Sequence, residues 1–568
     1  MITLFIKANS IVDMITVVAC ILSAIQFFLW LNKQLRIIPS ILLSIVINLA
    51  LIFTMAPSVG AVALVFIILT TIRIIKILKN KNKKEKVKEF KMDNPDSIYL
   101  ESNKGVIEIA NPYRGIIIQG GAGSGKSRSL FYPIIKQFIQ NDFAGILYDF
   151  KSPELSEFAY SFHNEQNIVK FASLNFKNAT QSVRLNPLSP KYLNKQAIAF
   201  EMATVLVNNL LPESIKKKDY WTRSSISVIA GSIWYLRNNH PHLCSLPHLI
   251  AMILSFPSVQ LIEKLSSDIE TAGMISSLKE AYEMKAEKQI AGVVGTIKNA
   301  LAQLNIPEIF YLLSDDQINL ELNNKENPTF LTIGNDSTLS NTYAPIISLV
   351  ISVCVRQMNQ PNKHRSAIIL DEAPTLYIPD FEQIPATARS NRVATVYGLQ
   401  DYSQMVDKYG ADKAQVMISN LGNQFYGRTV NEKTADMIVK LFGKHDVTYN
   451  SSSTSSGSSS GGFLSGNSSS SHNQSVSQSI QQRERVKVSD IINLSAGKFY
   501  GTIAEGNVKE LIGVQLKQVP DTKREFKVND IPFSLNENFK KIYSEVEKIR
   551  EDNSGETDTS EDFNIVLT

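Results

Sequence analysis

Cysteine is scarce: Cys20, Cys244 and Cys354 are the three in 568 residues. Odd in number and far apart, they imply no disulfide framework, and a reducing compartment suits the main body. A strong overall charge is lacking too, with 58 Lys and Arg against 53 Asp and Glu for a net +5. That excludes a globally basic, histone-like nucleic-acid binder. At roughly 150 residues per domain, the length excludes a lone small module and predicts three or four folding units.

The charge that is present is segregated. Residues 1–72 carry a net +2, residues 73–91 a net +7, residues 92–550 a net +2, and residues 551–568 a net −6 without one basic side chain. Any polyanion contact in the large middle must therefore be local. Three apolar runs, residues 11–31, 37–55 and 59–77, are each close to the ~20 residues that cross ~30 Å of hydrocarbon as a helix. Lys33, Arg36 and the basic run after Arg73 favour the cytoplasmic side, and the turn around Pro57 is uncharged. Three spans with the body inside is the leading count. Two spans, with a kink near Pro39 or Pro57, is the alternative.

From about Asp93 the chain alternates short β-branched runs with helical stretches, the pattern of an α/β domain. Strands are expected at residues 115–119, 145–150, 168–171, 329–334, 367–371, 393–400, 424–429 and 498–503. Between Lys191 and Leu322 the alternation stops and apolar residues fall at helical spacing (Ala203, Val207, Leu210; Ile226, Ile229, Ile233). The expected organisation is an anchor over 1–80, a nucleotide-binding domain in two parts over 81–190 and 323–520, an all-helical insertion over 191–322, and a C-terminal segment over 521–568 ending in a disordered acidic tail. Residues 451–480, opening SSSTSSGSSSGG, read as a flexible Ser-rich loop too polar to bury a core.

The strongest local signal is GGAGSGKS. Gly120, four residues, then Gly125, Lys126 and Ser127 complete a phosphate-loop pattern between the apolar strand RGIIIQ and a helix. Backbone N–H groups from Gly120, Gly121, Ala122, Gly123, Ser124 and Gly125 through Arg128 are placed to turn around ATP phosphates, helped by the helix N-terminus. Lys126 reaches the β and γ phosphates and Ser127 ligates Mg²⁺. A second element, RSAIILDEAP, puts Asp371 and Glu372 at the end of an apolar strand. Asp371 is expected to hold Mg²⁺ through water and Glu372 to polarise the attacking water. Gln400 closes the strand VATVYGLQ and is a candidate γ-phosphate sensor. Arg389, Arg392 and Arg428 are candidates for an arginine that reaches a neighbouring subunit's nucleotide. The dense group His240, His242, Cys244 and His248 suggests zinc, but it contains Pro241 and Pro247 and has no second cluster to close a tetrahedral site, so it reads as a connection between helices.

With those residues in place the chain resembles a known family, the type IV secretion coupling proteins, TraG/TraD-like membrane ATPases of bacterial conjugation. GGAGSGKSRSLFYPII, with Pro133 in its helix, ILYDFKSPE with Asp149 and Lys151, RLNPL, DYWTRSS around Trp221, and ILDEAP follow one another in family-like order from the N-terminal spans to about Lys517. The resemblance implies an inner-membrane anchor of transmembrane helices, a cytoplasmic RecA-like P-loop ATPase domain with an inserted all-alpha domain, and a homo-hexamer using ATP and Mg²⁺. It also implies relaxase-bound, single-stranded DNA as substrate, with relaxase and relaxosome proteins, secretion-channel components and membrane lipids as partners. Two departures stand out: a third apolar run, and a Ser-rich insertion with no fixed counterpart. The competing readings are an FtsK/HerA-type DNA translocase, which would call for a long linker and a DNA-reading C-terminal module, and a receptor platform that uses nucleotide only to assemble.

Overall fold

The computed structural model describes residues 94–217, 219–458, 470–527 and 534–551. The expected membrane spans and the acidic tail from residue 552 lie outside the described residues. Among the described residues no helix is long and apolar enough to cross a membrane.

Thirteen strands are described. A short antiparallel hairpin, β1 (Ile98–Ser102) and β2 (Gly105–Ile109), opens the body. The main sheet holds β3 (Ile116–Gln119), β4 (Ala144–Asp149), β5 (Lys170–Asn175), β6 (Thr329–Gly334), β7 (Ser366–Leu370), β8 (Val393–Leu399) and β9 (Asn423–Tyr426), with β12 (Lys498–Thr502) and β13 (Glu510–Gln515) at one edge. Its order is β13-β12-β9-β3-β8-β7-β4-β6-β5. The run from β9 to β5 is parallel, and β12 and β13 are antiparallel. Parallel strands lie under helices on both faces, so they read as continuous apolar runs rather than alternating ones. IIIQ, AGILYD, TFLTIG, SAIIL and VATVYGL are buried at every position.

Helix α1 (Tyr132–Gln140) follows β3, entered through a π-helical turn over Ser127–Phe131. Pro133 has no N–H to give to Ser129, and the chain widens there, with the Tyr132 N–H donating to Ser127 O. Helix α2 (Glu154–Phe162) follows β4. No described strand lies between Asn175 and Thr329. That stretch holds α3 (Gln196–Leu210), α4 (Tyr220–Asn239), α5 (Leu246–Ser255), α6 (Ser258–Ser266), α7 (Glu287–Ala302) and α8 (Pro307–Leu312), with shorter helices among them. Local caps mark the starts: Asp219 accepts from Thr222 N before α4, and Ser245 accepts from His248 N before α5. Each such cap contributes about 1 kcal/mol. Helix α9 (Ser340–Met358) returns the chain to the sheet, and α10 (Tyr402–Tyr409) and α11 (Glu432–Leu441) flank its other end.

One segment differs from the sequence expectation. The Ser-rich stretch, expected as a flexible loop, is in its described part a two-stranded antiparallel ribbon, β10 (Lys444–Ser458) with β11 (Ser470–Glu484), in register from Lys444↔Glu484 to Ser458↔Ser470. Pairing satisfies the backbone of both strands, and no proline interrupts the ladder. The sequence lacks the alternation of apolar and polar residues that signals a strand, and residues 477–484 of β11 are exposed. In the C-terminal segment α12 (Leu535–Glu551), ahead of the acidic tail, is an amphipathic helix. Its Ile542, Val546 and Ile549 are buried on one face. Phe539 and Tyr543 lie 4.6 and 6.0 Å from the Phe310 ring of α8, and Glu545 meets His248 of α5 at 3.1 Å.

Candidate functional site

The central strand β3 lies between β8 and β9, although each is far along the chain, so a crevice opens at the carboxyl ends of these strands. The loop after β3 supplies one wall of that cleft. Asp371 and Glu372 follow β7, Gln400 follows β8, and Asp149, Lys151 and Glu154 follow β4. Every expected cradle residue from Gly121 to Arg128 lines the cleft, as do Asp371, Glu372 and Gln400. Gly120 sits just behind the loop, its N–H donating to Leu399 O.

The loop's glycines are required by its shape. Gly125 has φ +91°, and a side chain there would strike the backbone of Gly497 at 2.7 Å. Gly497 N in turn donates to Ser124 O at 2.8 Å, so the turn before β12 is laid directly on the phosphate loop. Lys126 is 8% exposed and folds back inside the loop, donating to Gly120 O and standing 3.5 Å from Glu372 Oε1. Glu372 itself adopts a left-handed conformation, φ 49°, at the sharp turn that ends β7. The Asp371 N–H donates to Tyr148 O, tying that turn to β4.

Asp149 completes the acidic wall. It is fully buried, and its Oδ2 accepts from Leu155 N, Ser156 N and Ser156 Oγ, holding the first turn of α2. Its Oδ1 has no hydrogen-bond partner among the described residues, and neither has Ser124 Oγ. Burial pushes the Asp149 carboxyl up to about 6 against the stabilising Ser156 bonds. Burial first, then the neighbouring Glu372 and Asp149 charges, push Asp371 up to about 8, with Lys126 opposing.

These residues fit a phosphate chain with a divalent cation. Four carboxyl groups, Asp149, Glu154, Asp371 and Glu372, line the cleft with Lys126, Lys151 and Arg128, and a divalent cation would favour the ionised form of the raised Asp371 carboxyl. Among the described residues no group of three His, Cys, Asp or Glu side chains is arranged to hold a metal alone. Ser127 and Asp371 would therefore share an ion with ligand oxygens.

Other residues lie elsewhere. Arg389 and Arg392 sit at the opposite end of β8, where Arg389 is 3.6 Å from Glu505 and Arg392 2.8 Å from Asp96. Arg428 follows β9 at the cleft end, and its carbonyl accepts from Gly121 N. In the His-rich connection Cys244 is buried with its thiol donating to Leu188 O, and His248 is held by Ser245 and Glu545. Sequence reasoning did not place Asp149, Lys151, Glu154, Ala496 or Gln518 in the site, yet all five line the cleft. Asp149 ends a buried apolar strand just as Asp371 follows one, and that signal was visible in ILYD.

Comparison with known proteins follows the same lines. The family described as the TraM recognition site of TraD and TraG matches residues 365–496. Coupling protein TraD of Escherichia coli (strain K12) is 24% identical over 246 residues, which is 42% of this chain and 33% of that relative. The match therefore spans about a third of TraD's length. Among solved structures, the unbound bacterial conjugative coupling protein TrwBΔN70 superposes with a TM-score of 0.54 at 14% identity, covering 77% of this chain and 91% of that one. TrwB in complex with ADP and Mg²⁺ gives a TM-score of 0.52 at 16% identity, covering 73% and 87%. Residues 365–496 are thus similar to the TraD and TraG recognition family, and the parallel-sheet fold that carries the phosphate loop and strand-end carboxylates is similar to that of the conjugative coupling protein TrwB.

Proposed function

We propose that this chain is a P-loop ATPase that couples relaxase-bound, single-stranded DNA to a type IV secretion channel during bacterial conjugation. The observation that carries the reading is the gathering of Lys126 and Ser127 with Asp371, Glu372 and Gln400 in one cleft. The fold's likeness to TrwB, solved with ADP and Mg²⁺, supports ATP and Mg²⁺ as the ligands.

In this reading Lys126 exchanges its contacts with Gly120 O and Glu372 for the β and γ phosphates. Ser127 and Asp371 would hold Mg²⁺, Asp371 through water, and the ion would supply positive charge beside the transferred phosphoryl group. Glu372, released from Lys126, takes a proton from the attacking water, and Gln400 contacts the γ-phosphate. A ring of such subunits, a hexamer by the family resemblance, places sites at subunit boundaries, where hydrolysis moves loops against the DNA phosphates. The helical stretch between β5 and β6 is the substrate-facing domain, and residues 1–80 anchor the body to the inner membrane with lipid contacts. The match of residues 365–496 to a TraM recognition family supports relaxosome proteins as partners.

The test is ATP hydrolysis by the purified full-length chain with and without single- and double-stranded DNA, with Lys126→Ala as the blank. Stimulation by DNA that vanishes in the blank is expected. An assembled, hydrolysing protein indifferent to DNA would replace the motor by a receptor platform for protein substrates.

A further inference from the structure

The cleft is asymmetric along the sheet. On one side of the phosphate loop, towards β8, β7 and β4, stand Gln400, Asp371, Glu372, Asp149 and Lys151. On the other side, towards β12 and β13, the lining is Ala496 and Gln518 with no carboxylate. A phosphate chain wrapped by residues 121–127 has its reacting end at the carboxylates, so its nucleoside must leave toward the β12–β13 edge.

Gln518 is held there by main-chain anchors on both sides. Lys517 N donates to Glu101 O at 2.8 Å and Val519 N to Arg128 O at 2.9 Å, which pins the strand of chain after β13 across the start of the helical turn that follows Ser127. Leu516 N donates to Gly497 O, the same Gly497 that packs on the phosphate loop. Gly497 has φ +81°, and a side chain there would lie 2.5 Å from the Gln515 amide nitrogen and 3.2 Å from that of Gln518. The missing side chain therefore lets two amides converge on the cleft mouth. Gln515 spends its amide on Ala496 O and Leu516 O. Gln518 makes no side-chain hydrogen bond to the described residues.

We infer that Gln518 is the residue that reads the base of the bound nucleotide. The inference rests on the nucleoside-triphosphate reading of the cleft. One primary amide carries a donor and an acceptor side by side, which matches the N6–H and adjacent ring nitrogen of adenine. Turned over, it matches the carbonyl and ring N–H of guanine. Arg128, exposed on the same side, offers a flat guanidinium to the base face.

The experiment uses the full-length chain with Mg²⁺ and measures equilibrium binding of ATP, GTP and inorganic tripolyphosphate. Gln518→Glu removes the donor that adenine needs and supplies a carboxylate for the two guanine N–H groups, so the GTP-to-ATP affinity ratio is expected to rise at least tenfold. Gln518→Ala is expected to weaken ATP about fivefold and leave tripolyphosphate unchanged. The residue is exposed, so both variants fold, which equal melting temperatures verify. Unchanged base preference in Gln518→Glu, with Lys126→Ala still abolishing binding of all three ligands, overturns the assignment alone. If ATP and tripolyphosphate bind the wild type no better than Lys126→Ala, the nucleotide reading falls and this assignment with it.

Discussion

Asp371→Asn should make the ligand-free protein more stable at alkaline pH while crippling it as an enzyme. In the folded chain Asp371 is pushed from an ordinary 3.8 up to about 8, first by burial and then by Glu372 and Asp149. A folded-state pKa above the unfolded value means that, between the two, the native state keeps a proton the unfolded chain has released. Stability then falls as pH rises, by about 1.4 kcal/mol per pH unit for one proton. Below pH 6.5 two other groups intrude: Asp149, raised to about 6, and His248, lowered by burial. From pH 6.5 to 8 Asp371 dominates, and the wild type should lose up to about 2 kcal/mol, a fall in melting temperature on the order of 2–4 °C. The assay is thermal unfolding in EDTA across that range. Asp371→Asn should give a flatter profile and the higher melting temperature at pH 8. Excess Mg²⁺ and ATP should reverse the order, since ligand at 100 times its dissociation constant adds about 2.7 kcal/mol to whichever protein still binds it. Parallel pH profiles for the two proteins in EDTA would refute the reasoning.

Lys126→Ala should weaken Mg·ATP binding and turnover by at least about 10²-fold, as loss of one charge-stabilising donor does in other active sites. Calorimetric titration and phosphate release check this. Replacing residues 446–482 with a short Gly/Asn turn should leave basal hydrolysis within about twofold and the melting temperature nearly unchanged, because an isolated two-stranded ribbon adds little stability. Loss of folding would show that the ribbon packs on something essential. Val546→Asp puts a carboxylate on the buried face of α12 and should cost about 3 kcal/mol or more at that contact. The readout is faster hydrogen exchange in α5 and α8, with nucleotide affinity retained.

The parallel strands were legible because burial on both faces turns them into uninterrupted apolar runs. Strand β5 was read short, at 168–171, because KFASLN mixes Ser and Asn into its inner half. Hairpin β1–β2 and strand β13 are short, and one glutamate in each strand (Glu101, Glu108, Glu510) breaks or bounds the apolar run, so they do not stand out as the parallel strands do. Helix α12 has a stripe at Phe539, Ile542, Tyr543, Val546 and Ile549 that the sequence analysis did not assign to an element. The phosphate loop is a local motif, complete within eight residues. Asp371 and Glu372 stand out by position at a strand end, and Asp149 obeys the same rule. Gln518 obeys none, since it reaches the cleft only because an antiparallel edge brings the end of the chain back across its beginning.

The order of the sheet also dictates when it can form during synthesis. Strand β3 carries the phosphate loop, yet its first neighbour, β8, is made roughly 270 residues later and its second, β9, later still. At about 5–20 residues per second, β3 waits about 15–60 s for a partner while its apolar faces are already out of the ribosome. The helices between β5 and β6 have mostly local contacts and can pack among themselves during that interval. A cell making this protein therefore holds an unfinished sheet beside a helical layer that still lacks α12, so chaperone capacity and translation speed bear on its yield.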